Sequence, residues 1–332
     1  MDRTPEMTAY ERGVEAGSSF TRRQLLVKAS LGLAAATPLT LLAERAIASA
    51  LTSSSACALG AFANPANARL TFADAQRAIG DLEALIRQRL RITSTFVAWD
   101  EPFPNDGHRL DRAAGRTPLI AWDGRRDLAA ISSGDWDTLL EQRARACRAF
   151  GKPLYLRWAA EFNGSWNPCY GRGRDFIAAW RHMVTLFRST GATNVRWVWC
   201  PIALEERHRP AEDWRAYYPG DRFVDWVGMD GYNWGAARSW SRWQTFKAIF
   251  GPLYREYARR KPIMICEVAC ADLGGDKSAW IRNMGENLAG PLSRVRALVW
   301  FHANKETDWR VDSSERALRA FRSVVADPRY GG

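Results

Sequence analysis

Two glutamates stand where they could work as a pair. Glu161 follows the apolar run "PLYLRW" (153–158), within the stretch "RWAAEFNGSW", and Glu267 follows the run "PIMIC" (262–266). One carboxylic acid can protonate a leaving oxygen while a second, ionised, attacks the carbon that oxygen leaves. With carboxyl groups about 5–5.5 Å apart, this chemistry cleaves a glycosidic bond with retention. It requires two carboxyls of different proton affinity, which burial and neighbouring groups can arrange. The residues nearby in the sequence pattern suit the same task. Trp166, Trp234 and Trp300 offer flat faces for sugar rings, and Arg157, Asn163, Asp230 and Tyr232 can satisfy hydroxyls. Neither a Ser-His-Asp grouping nor a phosphate loop stands out, and the chain has only four His. Taken singly, each residue has a plainer reading: a strand-end Glu as a salt-bridge partner, Asp230 as a turn cap, Trp300 as core. The joint pattern carries the signal.

Such residues need elements that bring them together. Eight short apolar runs recur, at 58–62, 95–99, 118–122, 153–158, 195–199, 225–229, 262–266 and 297–301. Each is nearly continuous in apolar character, as parallel strands buried on both faces are. Helical spacing fits 72–90, with Thr71 as N-cap, and 135–150, 174–190, 243–259, 277–288 and 313–326. The stretches 100–117 and 201–224, rich in Pro and Gly, are expected as long loops. Eight strands alternating with helices over about 270 residues predict an α/β fold, a single-domain (β/α)8 TIM barrel over 51–332. An open doubly wound sheet is the competitor, but no GxGxxG follows the first strand. In a barrel, the active site forms at the C-terminal strand ends, where both glutamates fall.

Composition narrows the function further. Lys and Arg total 47 against 36 acids, for a net charge of +11, but the basic residues are scattered among the acids. Nucleic acid binding leaves a stripe or patch, so it is not expected. Sixteen Trp exceed what a core needs, and Trp99, Trp122 and Trp199 are further candidate sugar platforms. Residues 1–50 read as a twin-arginine-type export signal. Arg22-Arg23 precede an apolar stretch from Leu25 to Leu42, and Ala46-Ile47-Ala48 fits a small-x-small cleavage pattern. Pro38 breaks that stretch, which is weak for a permanent span. Secretion, with no stable membrane insertion after cleavage, is therefore expected. Six Cys follow the signal, with fifteen full pairings open, and none has zinc-site spacing. Neither a metal nor a cofactor is expected.

The stretches "RWAAEFNGSWNP", "GATNVRWVWCP", "YYPGDRFVDWVGMDGYNWG", "KPIMICEVA" and "LVWFHANKETDWRVDSS" together resemble glycoside hydrolase family 26, the β-mannanase-type family of retaining (β/α)8 glycosidases. The resemblance covers most of 58–326. It implies Glu161 as acid/base and Glu267 as nucleophile. It further implies Trp166 as the aromatic five residues on, Asp230 and Tyr232 as the Asp-x-Tyr after the sixth strand with the hydroxyl near the nucleophile, Trp300 as the floor of the cleavage subsite, and Arg157 as the basic residue behind the acid/base strand. One position departs: the family places His directly before the acid/base Glu, and here it is Ala160. That leaves both carboxylates in place but unsettles mannose preference. The implied activity is an endo-β-1,4-mannanase acting as a monomer on β-linked poly- or oligosaccharide. The alternatives are a β-1,3-1,4-glucanase, a β-1,3-xylanase, a transglycosylase or a non-catalytic carbohydrate-binding barrel.

Overall fold

The eight apolar runs form eight parallel strands closed in sequence order into a barrel: β1 (Ala58–Asn64), β2 (Ile92–Val97), β3 (Thr117–Trp122), β4 (Leu154–Trp158), β5 (Val195–Trp199), β6 (Trp226–Asn233), β7 (Ile263–Cys270) and β8 (Val295–Ala303). This computed structural model describes residues 56–203 and 211–331, all within one unit, Ala48–Gly332. The export signal expected over 1–50 lies outside the described residues. Among the described residues, no helix is long and apolar enough to cross a membrane.

Strand alternation sorts the side chains into two cores. Ile92, Leu119, Val198, Cys200, Trp226, Met264, Cys266, Ala297 and Val299 fill the barrel. Leu59, Ile120, Leu156, Trp197, Val227, Ile265 and Leu298 face the helices. Both layers being apolar explains why each strand reads as a continuous hydrophobic run. The outer core absorbs many tryptophans: Trp99, Trp122, Trp158, Trp180, Trp197, Trp199, Trp300 and Trp309 are each under 2 % exposed. Half of the 16 Trp therefore serve as packing, which answers much of the apparent surplus.

The helices are α1 (Phe72–Ile86), α2 (Asp106–Ala113), α3 (Leu128–Ser133), α4 (Asp137–Phe150), α5 (Gly173–Ser189), α6 (Phe246–Tyr257), α7 (Lys277–Ala289) and α8 (Glu315–Val325). Thr71 caps α1 as expected, accepting from the Asp74 N–H while Asp74 returns a bond to the Thr71 N–H. The helix stops at Ile86, short of Leu90, because Arg87 turns left-handed at φ 58°. The stretch 100–117, expected as loop, contains α2. Asn105 and His108 cap each other's backbone N–H groups there, which starts a helix despite the surrounding prolines. The stretch 201–224 holds only two short 3₁₀ turns in its described part. All six cysteines are buried and free of disulfides.

One register shift matters for the site. Met229 pairs with Ile265 but Asp230 pairs with Glu267, so Cys266 is an extra residue in β7. Met264 faces the barrel and Ile265 the helices. Strict alternation would then turn Cys266 inward and Glu267 outward. The bulge resets the parity, so both point inward, as bulges beside active sites do.

Candidate active site

Glu267 is built into a polar network at the top of the barrel. Arg157, from an inward position on β4, reaches across to it, with Nη2 2.5 Å from Oε1. The other guanidinium nitrogen donates to both oxygens of Asp230 on β6, at 2.8 and 2.6 Å. The Tyr232 hydroxyl donates to Glu267 Oε2. Arg157 and Asp230 are fully buried, and Glu267 is 8 % exposed. Burial by itself would strip the charge from Arg157, but Asp230 and Glu267 outweigh it and hold the guanidinium as a cation. Burial pushes the Asp230 carboxyl up, and Arg157 opposes that. Tyr232 is also pushed well above its usual value by burial and the Glu267 charge, so its phenol keeps the proton it donates. Glu267 is thus held by two donors, one at each carboxyl oxygen.

Glu161 is placed differently. It sits beyond β4 in a tight turn where Ala159 (φ 49°) and Glu161 (φ 59°) are both left-handed without being glycine. Each such residue costs about 1–2 kcal/mol, and strain of this kind gathers at functional sites. The turn is pinned on both sides: Ala159 N–H bonds the Trp122 carbonyl, and Glu161 N–H bonds the Cys200 carbonyl, at 3.0 and 2.9 Å. Gly124 is required beneath it, since a Cβ there would lie 2.1 Å from that of Ala159. The side chain of Glu161 is half-buried and accepts from the Trp166 indole N–H at 2.6 Å. Trp166 in turn lies across Gly164, where a Cβ would come within 2.4 Å of the ring.

The two elements bring the carboxylates together. One oxygen each from Glu161, Asp230 and Glu267 lies within 4.8 Å of the others. The same span links the Cys200 and Cys266 sulfurs with an Asp230 oxygen. In both groupings Asp230 is already engaged by Arg157.

Of the expected binding residues, Arg157, Asp230 and Tyr232 meet at Glu267, and Trp166 meets Glu161. Trp234 is half-buried beside them, 4.7 Å from the Trp309 ring, which packs 5.0 Å from Tyr232. Buried Lys277 fixes that arrangement by donating to the carbonyls of Asp308 and Arg310, on either side of Trp309. Five expectations fail, for Asn163 and for four tryptophans. Asn163 is fully buried and spends its amide on Ile202 and Glu212 backbone groups, so it holds the loop and offers nothing to a sugar. Trp300 is 1 % exposed, packs on Phe321 and Trp280 of the helical layer, and donates to the Trp309 carbonyl. It faces outward because its neighbour Val299 faces the barrel. Trp122 and Trp199, expected as platforms, are core for the same reason, and Trp99, beyond the end of β2, is buried by stacking on Trp122.

Phenylalanines take the inward positions instead. Phe62, Phe96 and Phe301 from β1, β2 and β8 pack as one wall, with Phe62 stacked 4.9 Å from Phe301 and edge-on 5.1 Å from Phe96. The wall reaches Tyr232 through Phe301 at 5.8 Å, and the Arg157 guanidinium lies 5.8 Å over Phe96. Phe96 is 47 % exposed. Phe96 and Phe301 were not singled out from sequence. Counting alternate positions from Ile92 and from Ala297 would have found them.

Residues 134–262 match glycosyl hydrolase family 26. Endoglucanase H of Acetivibrio thermocellus is 36% identical over 262 residues, covering 75% of this chain and 29% of that protein. A β-1,3-xylanase from a Vibrio species is 30% identical over 124 residues, 34% of this chain and 25% of the relative. This chain thus spans less than a third of the length of these two curated relatives. A solved β-mannanase from a symbiotic protist of the termite Reticulitermes speratus, complexed with gluco-manno-oligosaccharide, has a TM-score of 0.60 at 15% identity, covering 85% of this chain and 91% of that one. That last likeness bears on the fold alone. With Glu161 and Asp230 inside the matched stretch and a closed (β/α)8 barrel around them, this chain carries a glycosyl hydrolase family 26 region over residues 134–262.

Proposed function

We propose that the protein is a retaining endo-β-glycanase with Glu267 as nucleophile and Glu161 as acid/base. The observation that carries this is the approach of the two carboxylates to within 4.8 Å at one barrel mouth. Carboxyl groups about 5–5.5 Å apart suit direct attack, whereas an intervening water needs about 6.5–9.5 Å. In the first step a Glu267 oxygen bonds to the anomeric carbon. The bond to the glycosidic oxygen breaks, and that oxygen takes the Glu161 proton. In the second step Glu161, now a carboxylate, takes a proton from water as the water oxygen displaces Glu267. Arg157 and Tyr232 aim the attacking oxygen, Trp166 orients Glu161, and Trp166, Trp234 and the Phe96 wall supply apolar faces for sugar rings. Release of the β-anomer, followed by NMR in the first minutes of digestion, is the expected result. The α-anomer as first product would exclude this mechanism.

For the backbone sugar, β-glucan is the first reading. Endoglucanase H is similar over most of this chain, and Ala160 replaces the family His expected near the cleaved sugar. β-1,4-Mannan, which the family resemblance implies, is the second. Mixed-linkage glucan, mannan, glucomannan and β-1,3-xylan, assayed side by side with product sizing, separate these readings and show whether cleavage is internal. Residues 1–50 are read as an export segment. A reporter fused to them should leave the cytoplasm, and should stay there once Arg22 and Arg23 are replaced by Lys.

A further inference from the structure

A cleft of about 580 Å³ opens beside Trp166, lined by Arg125, Arg126, Asp127, Trp166 and Arg172. Three guanidinium groups face one carboxylate in that lining. Arg172 is partly neutralised by Asp127 and Asp175, and Arg125 by Asp123. Arg126 differs. Among the described residues it makes no ion pair. Its guanidinium is held by the Arg125 carbonyl at 2.7 Å and lies 5.9 and 5.8 Å over the Trp99 and Trp136 rings. A cation fixed by a carbonyl and two indoles is positioned without being neutralised, and most of its five donors stay available. The cleft touches the catalytic machinery, because Trp166 also donates to Glu161. Whatever occupies it therefore lies on the proton donor's side of the scissile bond.

We infer that this cleft binds a carboxylate carried by the glycan, and that the substrate is an acidic β-glycan rather than a neutral one. The inference rests on the glycanase reading and names its substrate class. A sugar ring over Trp166 places ring substituents toward the Arg side chains, and guanidinium recognises carboxylate through paired donors. The net charge of +11 would draw such a polyanion to the surface from a distance. The carboxylate can come from a uronic acid in the backbone or from an acidic acyl substituent.

Binding and turnover test the two readings separately. With Glu267→Ala, affinity is measured for a neutral β-1,4-gluco-oligosaccharide, for the same oligosaccharide oxidised to carboxylate at C6, and for its succinyl half-ester. At least one acidic ligand should bind about tenfold tighter than the neutral one, in line with a charge-assisted hydrogen bond, and which one does so identifies the carboxylate's source. Arg126→Gln and Arg172→Gln, each added to that background, should cut the preference severalfold, and Arg126→Lys should keep much of it. Equal binding of neutral and acidic ligands overturns the inference. So does a preference unmoved by either Arg→Gln change, which would belong to overall charge. Wild-type turnover of the neutral ligand with no acidic preference leaves the glycanase reading standing. Tight acidic binding with no turnover of any ligand removes that reading and keeps the site.

Discussion

The two carboxylates proposed for catalysis sit within one cleft but are held by opposite means. Glu267 belongs to the scaffold: a strand residue, 8 % exposed, clamped by a buried cation and a phenol. Glu161 belongs to a turn: half-buried, on left-handed backbone, with an indole N–H as its side-chain donor. The contrast follows the chemistry proposed for each. A nucleophile must be aimed, which a fixed cation and a phenol achieve by donating to its two oxygens. An acid/base must gain and lose a proton each cycle, which partial exposure permits. In the proposed mechanism, rigidity is concentrated where the covalent bond would form, and solvent access where the proton would travel.

Removing each carboxylate should separate the two roles. Glu267→Ala should cut turnover more than about 10⁴-fold on every substrate, whatever its leaving group. Glu161→Ala should cost about 10²–10⁴-fold on polysaccharide, yet much less on an aryl glycoside whose phenol leaves without protonation. Equal losses on both substrate types would erase the distinction. Arg157→Met should be the most damaging change to stability. It leaves Asp230 and Glu267 buried together without their cation, at about 3–5 kcal/mol, read as a fall in thermal midpoint. Tyr232→Phe removes one donor and little volume, so kcat should drop about 10–100-fold, the range of a hydrogen bond to a charged group, with KM little changed.

The smallest expected effect isolates the scaffold from the chemistry. Burial lowers both His108 and His302 to about 4 from 6.5, so the fold holds them neutral. Below pH 6.5 the unfolded chain takes up protons that the fold refuses. Stability should therefore decline as pH falls from about 6.5 to about 4, by on the order of 3 kcal/mol for each histidine, and level off below. His302→Asn keeps an acceptor for the Val311 N–H and should flatten that decline in melting curves. An unchanged slope would place the acid sensitivity elsewhere, starting with the Asp230–Arg157–Glu267 group.

Strand number, strand order and the meeting of two strand-end glutamates were legible in the sequence, because strands buried on both faces write themselves as apolar runs and a barrel concentrates polar residues at their ends. Helix α2 was hidden by the prolines that precede it, Pro102 and Pro104, and Asn163 looked like a ligand because an amide at a strand end is equally suited to backbone and to sugar. Burial of Trp300 and exposure of Phe96 were not legible either. In a run apolar on both sides, composition does not say which residues face the barrel.

The sequence by itself determined the elements, their order and the chemical types available at the mouth. The tertiary structure alone decided which side each residue faces. The extra residue in β7 turns Glu267 inward beside Asp230, and the left-handed turn after β4 brings Glu161 to meet it. Both depend on hydrogen bonds to neighbouring strands far away in the chain. A one-residue change of register reverses a strand's faces without altering a single letter of its sequence.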